Sequence, residues 1–474
     1  MMVIEMKKLA QIVTLMIIVS LSGCAMGPDF KKPVVETPNN FRFSDAESKE
    51  VVNLKWWELF DDPVLHSLVV TALTDSKDLM IAASRIEEAR ATLGFTKADQ
   101  YPRLDLEAGA KAGTFFGISR SSTTDKSVYI APVLSWEIDF WGKFRRSTEA
   151  AISELMASEY SLRTVQISLI SEVVSTYFLL LDYHQRLKIS RHTLDSRLVS
   201  LDIIQKRFDK GIIPEIDLNQ AQIQKEIAAG AIPLFQRLIA NTENALSILM
   251  GKFPGEIKTG NGLNQQVVPP DIPSGLPSDI LERRPDIAEA MYLLEAQTAR
   301  IGVAEALRFP SITLTGLFGV ASAELTSIST DGGIWSVGGS LLGPLFDFKK
   351  SLSRVEIEKE RTKQALYRYE NSVLFAFREV ADALNEIQTY KKQISSVERK
   401  LTAAKNAAFL SKMRYDKGVT SYLEVLDTER TLFDVRLELS ELEQRFHNAY
   451  AKLYKALGGG WLTKAEMEAE AEKK

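Results

Sequence analysis

The chain has 474 residues, 45% hydrophobic and 25% charged, a composition that supports a sizeable core and excludes intrinsic disorder. Its 58 basic and 62 acidic residues leave a formal charge of −4 with no block of like charge, which excludes a nucleic-acid surface and a charged interaction tail. The first element in chain order is at the N-terminus. Lys7 and Lys8 precede the apolar run "LAQIVTLMIIVSLSG", which ends just before Cys24, the single cysteine. The run is short for a bilayer span and suits the h-region of a signal peptide over residues 1–23. No later segment reads as a transmembrane helix. A membrane crossing by this chain would have to use strands, because only helices and closed barrels satisfy every backbone polar group in lipid.

From residue 76 onward the chain uses one unit twice. "ARATLGFTKADQYPRL" (89–104) is matched by "QTARIGVAEALRFPSI" (297–312), and "DFWGKFRRS" (139–147) by "DFKKSLSR" (347–354). "RFDKG" (207–211) is matched by "RYDKG" (414–418), and "ALSILMGKFPG" (245–255) by "LYKALGGGW" (453–461). The matches are co-linear. The first unit, 76–250, comprises a short helix at about 77–100, strands at about 103–117 and 127–140, a long helix at about 141–208 and a returning helix at about 214–250. A link follows at 251–284, in which Ser278 caps one helical turn and Arg284-Pro285 restarts the chain, with Pro285 opening the next helix. The second unit, 285–457, repeats the order. Its short helix is followed by strands at about 311–322 and 333–346, a long helix at about 348–416 and a returning helix at about 420–457. Residues 24–75 and 458–474 flank the repeats.

The strand segments alternate. Leu104, Leu106, Ala108, Ala110 and Ala112 share one face, with Asp105, Glu107 and Lys111 on the other. Val128, Ile130, Leu134, Trp136, Ile138 and Phe140 form an apolar face in the second strand, and Ile312, Leu314, Phe318 and Val320 in the third. Segments of about ten alternating residues fit a membrane barrel, and a soluble sandwich alternates too. Aromatics near strand ends (Phe115, Phe116, Trp136, Phe140, Trp141, Trp335, Phe346) favour the barrel girdle. Four strands are too few to close a barrel, since about eight is the minimum, so insertion requires oligomerisation; a dimer supplies eight and a trimer twelve. Each long helix, uninterrupted by proline over ~68 residues, makes a rod of roughly 100 Å, and each returning helix one of ~55 Å. A periplasm-spanning structure calls for that length; a plain coiled-coil stalk is the alternative.

"LSGC" (Leu21–Cys24) resembles a bacterial lipobox, which implies a covalent lipid on Cys24 and no other cofactor. Ala25 is not the aspartate that retains lipoproteins at the inner membrane, so the outer membrane is the implied destination. Together with "GPDFKKP" (27–33), "LPSDILERRPDI" (276–287), "YKALGGGW" (454–461) and the duplicated unit, the chain resembles the TolC-like outer-membrane efflux channels of the NodT lipoprotein type. The resemblance covers essentially the whole mature chain. It implies an α+β membrane protein: a homotrimeric twelve-stranded outer-membrane β-barrel, four strands per chain, continued by a long periplasmic α-helical barrel. A mixed equatorial domain would come from 24–75, 251–284 and 458–474. The implied partners are a periplasmic adaptor and an inner-membrane pump of the RND type, with outer-membrane lipid around the barrel and no nucleic acid.

No catalytic constellation, phosphate loop or metal cluster is present in the sequence. His66, His184, His192 and His447 are scattered and read as solvated helix residues. The site of interest is the pair of matched turns. In "RYDKGVTSYLEVLDTER" (414–430) Ser421 and Glu424 read as a capping box that restarts the helix. The resemblance implies a periplasmic gate there. Asp217 and Tyr415 match a hydrogen-bonding pair across neighbouring hairpins, Leu423 a hydrophobic constriction, and Asp427 a lumenal aspartate ring, with Glu424 one turn before it. Thr420 stands where some members place an arginine, which leaves Arg414 as its substitute. Acid rings in a constriction favour cations, so a small cation-preferring conductance is expected. Arg207, Lys210, Gly211, Lys417 and Gly418 form a candidate docking tip for the adaptor. The leading reading is a passive exit channel of a tripartite efflux pump for small toxic molecules. A type I protein-secretion channel and a non-conducting trimeric periplasmic scaffold are the alternatives.

Overall fold

A computed structural model describes residues 25–38, 41, 56–116, 119–268, 277–323 and 332–459. Residues 1–23, expected to be a signal segment, the expected lipidation site Cys24 and the tail beyond 459 lie outside these residues.

The duplication in the sequence is carried into element lengths. Helix α1 (Pro63–Asp75) precedes the first repeat, which runs α2 (Lys77–Ala98), β1 (Arg103–Phe116), β2 (Ser119–Ile138), α3 (Lys143–Asp209) and α4 (Glu215–Leu249). A seven-residue α5 (Pro277–Arg283) leads into the second repeat: α6 (Pro285–Ala306), β3 (Ser311–Ser322), β4 (Gly333–Leu342), α7 (Lys350–Asp416) and α8 (Tyr422–Ala456). The short helices have 22 residues in both repeats, the long ones 67 and the returning ones 35. At 1.5 Å per residue each long helix measures about 100 Å. Matched aspartates start the long helices. Asp139 accepts from the backbone N–H groups of Phe144 (3.0 Å) and Arg145 (2.9 Å), and Asp347 from that of Ser351 (2.9 Å).

Three boundaries differ from the sequence reading. Strand β2 begins at Ser119, well before 127, because antiparallel pairing with β1 extends through "SRSSTTDK", which carries no apolar alternation. Strand β4 stops at Leu342, short of 346, ahead of Pro344, which has no N–H for the ladder. Helix α5 starts at Pro277, so Ser278 is inside the helix and does not cap it.

The chain divides into two compact units. The first holds the chain up to Val34, Arg85–Glu159 and Glu289–Glu370, and contains the sheet. Its strands are antiparallel in the order β1-β2-β3-β4. The register aligns the four apolar faces: Leu104 pairs with Leu134, Leu134 with Gly316 and Gly316 with Val337, while Phe318 pairs with Trp335. That shared face lies uncovered, with Leu104 68%, Phe318 73%, Trp335 78% and Val337 81% exposed. In the same unit the arm after Cys24 is pinned down. The guanidinium of the buried Arg146 donates to the carbonyls of Met26 (3.0 Å) and Gly27 (3.3 Å) and to Asp29 (2.7 Å), and also pairs with Glu149. Gly27 has φ +88°, and a Cβ there would sit 2.4 Å from the Cα of Gly302, so only glycine fits.

The second unit holds Val35–Ser84, Tyr160–Ala288 and Asn371–Lys474. Its core gathers Trp56, Trp57, Phe60, Tyr177, Phe178, Leu180 and Leu246, all at most 1% exposed. Trp56 stacks on Tyr454 with centroids 4.9 Å apart. Asp62 is buried in this core and fully used: it caps α1 at Val64 and Leu65 and accepts from the Tyr177 hydroxyl (2.7 Å) and Gln266 (2.8 Å). Helix α3 is, among the described residues, the one helix long and apolar enough to cross a membrane, an assignment the sequence reading did not make. Most of its apolar stretch is buried inside the protein, with Ile170, Val173, Val174 and Leu181 in this core, which accounts for its hydropathy. His447 also corrects the sequence reading. It is buried, not solvated, and stacks on Phe178 at 4.8 Å with its ring 14° from parallel. Burial pushes its pKa down to about 4.

Candidate functional site

The candidate site is built from two identical chain reversals in the second unit. Helix α3 ends when Gly211 N–H donates to Phe208 carbonyl (2.7 Å) and Ile212 N–H to Arg207 carbonyl (3.0 Å). Helix α7 ends the same way, from Gly418 to Tyr415 (2.9 Å) and from Val419 to Arg414 (2.9 Å). Both glycines have φ +72°, the left-handed conformation that closes a helix with this pair of bonds. A Cβ at either would meet nothing within 4 Å, so the two turns present open backbone.

The two hairpins are joined within one chain. Ile204 of α3, Leu218 and Ala221 of α4, and Tyr422, Val425 and Leu426 of α8 form one buried cluster, with Phe208, Ile213 and Tyr415 packed against it. Over this cluster lies a polar latch. Arg207 places its guanidinium 5.0 Å from the centre of the Tyr415 ring and pairs with Asp416 at 3.2 Å. Tyr415 also packs on Tyr422, with ring centroids 5.2 Å apart. Arg207, which the sequence placed in a docking tip, is thus committed to the second hairpin, while Lys210 and Lys417 are exposed.

The acids are distributed differently from the sequence expectation. Ser421 has the extended backbone of an N-cap but its side chain caps nothing, so the capping box with Glu424 does not form. Glu424 instead accepts a hydrogen bond from the Thr420 hydroxyl and lies 3.5 Å from Arg414. Thr420 and Arg414 together hold this carboxylate, because both lie on the turn that faces the first residues of α8. Asp427 is exposed and pairs with Arg430 at 2.8 Å. Leu423 is 61% exposed and projects from the same end of α8. Asp217 is half-buried, and burial raises its pKa from the ordinary carboxylate value. It shares no hydrogen bond with Tyr415 inside the chain, and the Tyr415 hydroxyl is buried without a partner. Among the described residues no group of His, Cys, Asp or Glu could hold a metal ion.

Sequence reasoning missed Arg284 in "LPSDILERRPDI", which it took for punctuation. The side chain is 5% exposed and grips Asp286 through two bonds (3.0 and 2.7 Å), the carbonyl of Ala456 (3.0 Å) and Glu379 (2.7 Å). Gly458, at φ +72°, closes α8 against it, since a Cβ there would lie 3.0 Å from the Cα of Arg284. Two of the motifs behind the resemblance, "LPSDILERRPDI" and "YKALGGGW", therefore meet around one buried arginine. An arginine two residues before an aspartate at a helix start was the available signal.

Comparison with known proteins decides the family. A model of the outer membrane efflux protein family matches residues 68–252 and 276–459, one stretch in each repeat. The chain belongs to the outer membrane efflux protein family. The solvent efflux pump outer membrane protein SrpC of Pseudomonas putida is 34% identical over 453 residues, covering 93% of this chain and 96% of SrpC. The probable outer membrane lipoprotein SilC of Salmonella typhimurium is 33% identical over 465 residues, covering 96% and 99%. The cation efflux system protein CusC of Escherichia coli O6:H1 is 33% identical over 449 residues, covering 93% and 97%. A crystal structure of CusC superposes with a TM-score of 0.82 at 31% identity, over 92% of this chain and 100% of that one. The NodT-type efflux channel resemblance read from the motifs holds, and the protein is an outer-membrane efflux channel protein. The family is one of channels rather than enzymes.

Proposed function

We propose that this protein is the passive exit duct of a tripartite efflux pump, assembled as a homotrimer whose twelve strands close one barrel. The carrying observation is the sheet: four aligned apolar faces lie uncovered, and β1 and β4 stand at its two ends. An uncovered apolar face suits lipid, and open strand edges are not tolerated there, so neighbouring copies must pair β4 with β1. Lipidation of Cys24 then anchors each chain, consistent with an arm that is fastened from Met26 to Asp29. The paired turns form the periplasmic gate, with Asp217, Tyr415, Leu423, Glu424 and Asp427 narrowing it, and Lys210, Gly211, Lys417 and Gly418 facing a periplasmic adaptor that links the duct to an inner-membrane pump of the RND type. The cargo is small molecules, as the names of SrpC and CusC indicate for those proteins. Because Glu424 and Asp427 are matched by Arg414 and Arg430, cation preference rests on rings that are partly neutralised.

The test is planar-bilayer recording of the purified, heat-resistant oligomer. The wild type is expected to show a small cation-preferring conductance, and Asp427→Ala a lower cation preference with a larger conductance. A protein that forms trimers but never conducts would overturn the duct and favour a scaffold.

A further inference from the structure

Among the described residues three arginines are buried, and two of them are neutralised: Arg146 pairs with Asp29 and Glu149, and Arg284 with Asp286 and Glu379; the half-buried Arg186 likewise pairs with Asp182 and Glu441. Arg197, on α3, is the exception. It is 4% exposed, yet no carboxylate of the described residues forms an ion pair with it. One guanidinium nitrogen donates to the Gln224 carbonyl of α4, and the charge lies 5.1 Å from the centre of the Phe433 ring. The other terminal nitrogen is buried and unbonded, and so is the hydroxyl of Thr193, one turn earlier on the same helix. Glu429 and Asp434 lie near enough to favour the Arg197 charge but neither pairs with it, and buried donors without acceptors cost free energy.

Both orphan groups line a cavity of about 290 Å³ bounded by α3, α7 and α8. Lys405 and Lys412 of α7 and Arg436 of α8 line it too, and none of these three has an ion-pair partner among the described residues. The one acid in the wall is Glu429, and it is outnumbered by Arg197, Lys405, Lys412 and Arg436. Arg436 and Arg197 are in turn pushed down by burial, which an anion beside them would reverse. A pocket of this size has room for a hydrated small anion, and fixed donors on a guanidinium fork, a hydroxyl and flexible ammonium groups match the oxygens of an oxyanion.

We propose that this cavity binds a small oxyanion, with phosphate as the probe, held by Arg197 and Thr193 at its floor and by Lys405, Lys412 and Arg436 at its rim. Such an anion bridges the first hairpin to the second. Arg197 lies ten residues before Arg207, about 15 Å along α3. Bound oxyanion therefore fastens the two hairpins together a short way above the latch at their turns, a second tie independent of Arg207.

The experiment is equilibrium dialysis of full-length oligomer in detergent against radiolabelled inorganic phosphate in low-chloride buffer. Saturable binding of one phosphate per chain is expected, displaced by sulfate. Lys405→Gln with Lys412→Gln, both exposed and harmless to folding, should weaken it at least tenfold, and Arg197→Lys, which keeps the charge and loses the fork, should do likewise. Lys210→Gln with Lys417→Gln, an equal loss of charge at the turns, should leave it unchanged. Absence of saturable binding to the wild type, or equal weakening by the turn variant, overturns the proposal. The readout requires no conductance, so the channel reading and the oxyanion site stand or fall separately.

Discussion

Replacing Arg207 by alanine isolates the tie between the two hairpins. Two interactions are lost. The pair with Asp416, at 3.2 Å and between side chains 30% and 50% exposed, is a surface-type ion pair worth about 0–1 kcal/mol after screening. The cation–π contact with Tyr415 at 5.0 Å adds about 0.5–1 kcal/mol. The buried cluster around Tyr422 is untouched, so the helices stay folded and only their pairing is loosened. Together the losses shift the balance between joined and splayed hairpins by roughly 0.5–2 kcal/mol, a factor of about 2–30. Mean single-channel conductance in planar bilayers should rise accordingly. The ion-pair share vanishes in 1 M salt, where the Debye length is about 3 Å, so wild type and Asp416→Asn should converge there while Arg207→Ala stays higher. Tyr415→Phe tests the proposed bond between copies: the hydroxyl has no partner among the described residues, so a changed conductance supports such a bond and an unchanged one counts against it. If Arg207→Ala conducts like the wild type at low salt, the latch does not hold the hairpins and the reasoning fails.

Arg284→Met leaves the Ala456 carbonyl and the partly exposed carboxylates of Asp286 and Glu379 without their donor, a loss of about 2–3 kcal/mol. For a unit of roughly 280 residues that lowers the melting temperature by about 3–5 °C in a thermal scan, and Glu379→Gln in the same background should recover part of it. His447 is held neutral, with its pKa lowered to about 4 from an unfolded value near 6.5. Its contribution is therefore intact above pH 6.5 and is lost as pH falls toward 4, by up to about 3 kcal/mol; His447→Phe should flatten that part of the stability–pH curve. Gly27→Ala drives a Cβ onto Gly302 from a left-handed backbone, so the arm should lift and trypsin should cut after Lys31 faster than in the wild type, as read by mass spectrometry.

Much of the fold was legible because its signals are local and doubled. Alternation from Leu104 to Ala112 marks β1, and the proline-free stretches mark the long helices, each reported twice by the repeat. The start of β2 was not legible, since "SRSSTTDK" has no apolar face and is a strand only through its pairing with β1. At the turns, Gly211 and Gly418 were readable from the helix punctuation around them. The partners of their neighbours were not. Ser421 and Glu424 satisfy the local capping pattern, yet Arg414 and Thr420 compete for the same carboxylate and win it.

By itself the sequence determined the duplicated order of helices and strands, the two matched turns and the motifs that mark the family, because periodicity, caps and glycines act over a few residues. Only the tertiary structure decided which charges are neutralised. Arg207 reaches Asp416, Arg284 reaches Glu379 and the end of α8, and Arg197 forms no ion pair with any carboxylate of the described residues. Those outcomes join residues far apart in the chain, and Coulomb energies in a buried site depend on the few ångströms that only packing sets.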